Sequence, residues 1–117
     1  MYRELRASVG FDASHKAESR ERCRRQHGHH WTVTAQTRSR KGDVDDIDSL
    51  ISHLDEIVAE WRDRDLNEML IAFAETTPEN LVVWVMERLL SNHSQMTLVE
   101  VSDGVITAAV HREPPLR

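Results

Sequence analysis

From Leu5 onward the apolar side chains fall on every second position: Leu5, Ala7, Val9, Phe11 and Ala13, with His15 closing the series. A period of two is that of a β-strand with one buried face, so His15 ends on the inward side. A second alternation follows, in which Trp31, Val33 and Ala35 take turns with Thr32, Thr34 and Gln36, and His27 and His29 continue its inward phase. Residues 16–26 between the two are almost entirely polar and read as a loop. Two neighbouring strands that place three imidazoles on their buried face leave few folds open. Such strands need a sheet with one face covered and one face wet.

The rest of the chain supplies the cover. Ile47, Leu50, Ile51, Leu54, Ile57, Val58 and Trp61 recur at the three-and-four spacing of an amphipathic helix, and the aspartates at 45, 46 and 48 suit its N-terminus. A mixed connection runs from Arg62 to Thr76. Thr77 before Pro78 is pushed out of helical geometry and reads as an N-cap, with a second helix running from Pro78 to about Leu90. Finally "TLVEVSDGVITAAV" places β-branched runs on both sides of Asp103-Gly104, a pair suited to a two-residue type I′ hairpin turn. The order ββααββ predicts one α+β domain over residues 1–117, an antiparallel four-stranded sheet backed by two helices. Its exposed strand edges invite a homo-oligomer.

Composition narrows the function. A net charge of −5 argues against a general nucleic-acid partner. No apolar run reaches membrane-spanning length and the first residues lack a secretion signal, so a cytoplasmic protein is expected, without a membrane partner. Cys23 is the only cysteine, which rules out an intramolecular disulfide.

Residues two apart on a strand project from one face about 7 Å apart, so "HGH" delivers His27 and His29 together. With His15 from the neighbouring strand they offer three nitrogens and an open fourth position, the arrangement of a catalytic zinc site. His30 points to the opposite face. Cys23 sits just ahead of the pair, among Arg20, Arg22, Arg24 and Arg25, whose charges are expected to favour its thiolate. A reactive thiol, a fourth zinc ligand and inert loop filler all remain open for it.

These pieces together resemble the 6-pyruvoyltetrahydropterin synthase and 6-carboxytetrahydropterin synthase family, zinc enzymes of the tunnelling fold that process dihydroneopterin triphosphate. The likeness spans nearly the whole chain. It is carried by "FDASH", "CRRQHGHHW", "GDVDDIDSL", "DLN", "TTPEN" and "LVEVSDG" in that order. The resemblance implies His15, His27 and His29 as the zinc ligands and Cys23 as the catalytic thiol. It implies Glu100 as the carboxylate that anchors the pterin, or Asp103 if the last hairpin aligns with a shift, and Thr77 as a further pterin contact.

One pair of positions departs from the family pattern. Ahead of "LN" the family usually carries an Asp-His pair for proton transfer, and here Arg62 and Asp63 stand there. Asp63 would have to serve in its place, or His53 or His111 would be brought in by the fold. What the resemblance implies is a lyase of the 6-carboxytetrahydropterin synthase type, assembled as a hexamer. The alternative is a pterin-binding homologue without this catalysis, or one acting on a different pterin side chain. A purely structural zinc domain would lack a pocket beside the metal.

Overall fold

The computed structural model describes residues 1–40, 47–69 and 75–114. The first two strands, β1 (Tyr2–His15) and β2 (His27–Arg40), pair antiparallel from Tyr2 opposite Arg40 to His15 opposite His27. β2 pairs in turn with β3 (Met96–Ser102), and β3 with β4 (Thr107–His111), in the sheet order β1-β2-β3-β4. Between the two strand pairs lie α1 (Ile47–Ala59), a single turn α2 (Leu66–Met69) and α3 (Pro78–Leu90). The expected α+β order therefore holds. Turn α2 is an addition within the connection, since four residues are too few to show a helical period. Of the three aspartates expected at the start of α1, Asp48 lies in its first turn, whereas Asp45 and Asp46 fall outside the described residues.

One sheet face is covered by both long helices. Leu50, Leu54 and Val58 of α1 and Leu81, Val85 and Leu89 of α3 pack onto Phe11, Trp31, Val33, Val99 and Val101. Trp31 is wholly buried, stacks on Phe11 at 6.3 Å between ring centroids, and donates its indole N–H to the carbonyl of Ala13 at 3.1 Å. An aromatic ring of this size carries a large share of core burial, and the indole bond leaves it no unsatisfied donor.

The other face is polar. Ser8 and Thr34 share a hydroxyl hydrogen bond of 2.7 Å, Arg6 donates to Gln36 Oε1 at 2.8 Å, and Gln36 Nε2 donates to Glu4 at 2.7 Å. These are cross-strand partners standing out from the pleat, so the face is tied together without being dry. Along the outer edge of β1, Asp63 N–H donates to Asp12 O at 2.7 Å and Ser14 N–H to Arg64 O at 3.0 Å. Asp63 holds a left-handed φ of 59° to make this contact.

The last hairpin differs from the expected two-residue turn. Ser102 pairs with Thr107, which leaves four residues, Asp103 to Ile106, in the loop. The Asp103 carboxylate accepts from the amides of Val105 (2.9 Å) and Ile106 (2.8 Å), and that side-chain bonding holds a wider loop than Asp-Gly alone would form. Gly104, at φ +94°, supplies the left-handed residue the loop requires.

Removing the central ring should be costly. Trp31→Ala is expected to lower unfolding free energy by about 3–5 kcal/mol in denaturant titration, a cavity cost typical of a buried aromatic. Val105→Ala, at a side chain 73% exposed, should change it by less than about 0.5 kcal/mol.

Candidate metal centre

The register of β1 and β2 builds the centre. His15 stands opposite His27 and Ala13 opposite His29, so the three inward imidazoles meet at one end of the sheet. Their ring centroids lie 4.7 Å (His15–His27), 5.0 Å (His15–His29) and 4.4 Å (His27–His29) apart. Trp31 meets the rings of His15 and His29 edge-on, at 4.9 and 5.6 Å, and forms the floor beneath them. Cys23, in a short 3-10 turn at Glu21–Cys23, brings its thiol alongside, with Sγ 4.0 Å from His29 Nε2. One donor atom from each of His15, Cys23, His27 and His29 lies within 4.8 Å of all the others.

Hydrogen bonds fix which nitrogens face the centre. His15 Nδ1 lies 2.8 Å from the carbonyl of Thr76, and His27 Nδ1 lies 2.6 Å from that of Arg25. A carbonyl only accepts, so each Nδ1 carries its proton and each Nε2 turns a lone pair inward. His15 Nε2 is buried with no hydrogen-bond partner, and His27 Nε2 and His29 Nε2 approach to 2.6 Å. An orphaned lone pair beside two close ring nitrogens fits a bound cation. The backbone carbonyls behind the rings are the outer support that metal-binding histidines usually have. The residues present therefore fit zinc, with three nitrogens and a thiol within reach.

The electrostatics agree. Burial pushes the His15 pKa down, as do His27 and His29, against the opposing pull of the Thr76 carbonyl and Asp103. Burial and the His27 charge likewise lower His29, together with Arg22. Neutral imidazoles are what a metal needs.

Cys23 departs from the sequence expectation. Burial pushes its thiol up, and of the four arginines only Arg22 and Arg20 pull it down, while Asp103 pushes it up further. Burial is the largest cause and outweighs the arginines. Arg22 bonds Asp103 at 2.7 Å, Arg20 pairs with Glu79, and Arg24 Nε donates to the carbonyl of Glu18. The protein groups alone therefore do not supply an acidic thiol.

The remaining site residues divide. Thr77 sits at the N-cap position of α3, yet its hydroxyl makes no capping bond and is buried with no hydrogen-bond partner, next to the Thr76 carbonyl that holds His15. Glu100 faces away from the imidazoles. It stands opposite Thr34 and Ala109, on the sheet face that alternates with the buried Val99 and Val101. Asp103 keeps the inward phase of those valines and acts electrostatically on His15, His29 and Cys23. Burial pushes its carboxyl up, but the Ile106 and Val105 amides and Arg22 more than offset that and hold it below the usual carboxylate range. Asp63 does not join the cluster. It is exposed and lines a cavity of about 560 Å³ with Asp12, Ser14, Gly28 and His30, a cavity that the ligand candidate His29 also lines. His53 is paired with His93, and His111 lies at the end of β4 beside Gln36 and Arg38.

The antiparallel sheet backed by two helices is shared with solved pterin synthases. The 6-pyruvoyl tetrahydropterin synthase of Caenorhabditis elegans superposes with a TM-score of 0.82 at 17% identity, covering 97% of each chain. That of Plasmodium falciparum does so at 0.71 and 14% identity, over 96% of this chain and 98% of the other. No match is found among curated proteins. The family profile for 6-pyruvoyl tetrahydropterin synthase matches residues 4–112, and the chain belongs to that family. Membership supports a pterin-processing lyase in general.

Two outcomes are expected here. Metal analysis after purification without chelator should find one tightly held zinc per chain, and His27→Ala and His29→Ala should each lose most of it. In the metal-free protein the rate of Cys23 alkylation should rise with an inflection above about 8.5, the value of an ordinary thiol, because burial outweighs the arginines. An inflection below that value would mean that the arginine charges dominate.

Proposed function

We propose that the chain is a zinc-dependent lyase of the 6-carboxytetrahydropterin synthase type acting on dihydroneopterin triphosphate. The observation that carries this reading is the convergence of three inward nitrogens, with His15 Nε2 buried and unpartnered. His15, His27 and His29 would hold the ion. Zinc, when bound, supplies Lewis-acid polarisation to the hydroxyls of the substrate side chain. Cys23, against the His29 ring, is placed to take a proton from that side chain once a neighbouring cation lowers its thiol pKa.

Asp103 is the carboxylate we assign to pterin binding, in place of Glu100. A carboxylate offers about four acceptor positions, and the Val105 amide, the Ile106 amide and Arg22 take three. One remains for a ring N–H, with more if Arg22 swings towards solvent. The unpartnered Thr77 hydroxyl offers a further contact. Arg24 and Arg25 lie exposed beside Cys23, where a triphosphate would be met. A homo-oligomer, hexameric by resemblance, and a cytoplasmic location belong to the same proposal. β1 and β4 are both edge strands, and no helix of the described residues is long and apolar enough to cross a membrane.

A second reading is favoured by one observation. Asp63, standing where the resemblance puts the family's proton-transferring histidine, is exposed and lies outside the cluster of His15, Cys23, His27 and His29. That supports a pterin-binding protein with little turnover, since a positioned acid or base contributes about 10²- to 10⁴-fold.

Incubating the zinc-loaded protein with dihydroneopterin triphosphate, with binding and product measured in parallel, separates the two. The expected result is pterin binding with slow turnover, raised by the double variant Arg62→Asp with Asp63→His. Asp103→Asn should weaken binding about ten-fold or more, as loss of a charged hydrogen bond implies, and Glu100→Gln should leave it nearly unchanged. Robust wild-type turnover unaffected by the double variant would show that proton transfer runs through other groups. Absence of any pterin binding would remove the proposal.

A further inference from the structure

We propose that Asn67 is a positioning residue for the metal centre, whose side-chain amide clamps the end of β1 and so holds His15 in place against His27 and His29. Its role rests on the reading that these three histidines hold the ion. His27 and His29 share one strand, which sets their spacing. His15 comes from the other strand, and its pair with His27 is the last of the β1–β2 ladder. Past that pair the amide of Asn67 takes over. Its Oδ1 accepts the Lys16 N–H at 2.8 Å and its Nδ2 donates to the Lys16 carbonyl at 2.9 Å. A side-chain amide carries both an acceptor and a donor, so it meets both backbone groups of Lys16 as a neighbouring strand would. The Thr76 hydroxyl reaches the same Oδ1 at 3.5 Å, and the Thr76 carbonyl lies 2.8 Å from His15 Nδ1. Asn67 therefore touches both the residue that follows His15 and the residue that orients its ring.

The segment "DLN" explains how the amide comes to stand there. Leu66 is wholly buried and pins turn α2 to the core. Asp65 Oδ1 accepts the Asn67 N–H at 3.0 Å, which caps the turn, and Asp65 bridges in parallel to Ser14, the residue before His15. Cap, anchor and clamp are thus successive residues. Asn67 itself is exposed, and so are its bonds to Lys16. Water would satisfy the same exposed backbone groups almost as well, so the clamp contributes little to the fold as a whole. What water does not supply is a fixed position for the end of β1. Groups that hold metal ligands from behind typically cost about ten- to a hundred-fold in metal affinity when lost. Asn67 acts one step further back, through Lys16 and Thr76, which places its effect at the lower end of that range.

The test uses the full chain, stripped of metal by chelator and desalted. Zinc affinity is read by competition with a chromophoric chelator, and the geometry of the site by the visible spectrum of cobalt(II) bound in place of zinc. Asn67→Ala should weaken zinc binding about ten-fold and change the cobalt spectrum, while the circular dichroism and unfolding midpoint of the metal-free protein stay close to wild type. Asn67→Leu, of similar volume but without the amide, should do the same, and keeps the comparison readable if alanine loosens the turn. Asn67→Asp retains an oxygen for the Lys16 N–H and should recover part of the affinity. Asn92→Ala, at an exposed asparagine after α3 that donates to Ser91, should match wild type. Wild-type affinity and an unchanged cobalt spectrum in both Asn67→Ala and Asn67→Leu would overturn the proposal and leave the metal centre standing, whatever happens to their unfolding midpoints. Failure of the wild-type chain to bind zinc would overturn both.

Discussion

The pairing of His15 with His27 at the end of the β1–β2 ladder is the contact on which the site depends. A strand has a side-chain period of two, so slipping this register by one residue would turn every imidazole of one strand to the polar face. The register is held by the whole length of both strands, from Tyr2–Arg40 to His15–His27, and by Trp31, whose indole N–H is bonded to Ala13 across the same pair. Core and centre are thus one construction. The ring that fills the middle of the core is also the surface against which His15 and His29 rest.

Around the imidazoles the charges form a short closed circuit. Asp103 reaches the cluster from the β3–β4 loop, Arg22 from the turn that carries Cys23, and their 2.7 Å ion pair joins the two ends of the chain's functional sequence. Burial of the thiol, helped by the Asp103 charge, outweighs the pull of Arg22 and Arg20, so a sequence rich in arginine around Cys23 does not yield an acidic cysteine. A bound cation would change that balance, because it would add positive charge on the imidazole side, where the protein groups supply none.

Much of the fold was legible in the sequence because alternation and helical periodicity are both long-range signals here. The strands, both long helices and the three inward histidines follow directly from them. Turn α2 was hidden by its brevity, and the four-residue loop by a side chain: Asp-Gly suggests a tight turn, but Asp103 spends its carboxylate on the loop amides. The Glu100 expectation carried its own counter-signal. Val99, Val101 and Asp103 share one phase of β3 and Glu100 the other, so alternation alone points Asp103 towards the histidines. What no local pattern reveals is the role of Thr76, whose backbone carbonyl orients His15 across 61 positions of chain, or the meeting of His53 with His93.

The loop after α1 has an effect beyond the placement of Asp63. Through Asp12, Ser14 and Asp65 it lies as a short parallel strip along the outer edge of β1, using the backbone groups of that edge near the histidine end. The outward groups of β1 alternate with those bonded to β2, so among the described residues the even positions from Tyr2 to Gly10 make up the rest of that edge. A strand from another molecule that docks there can slide no further than Gly10. The loop acts as an end-stop, fixing how far any neighbour can advance along the sheet before it reaches the metal-binding end.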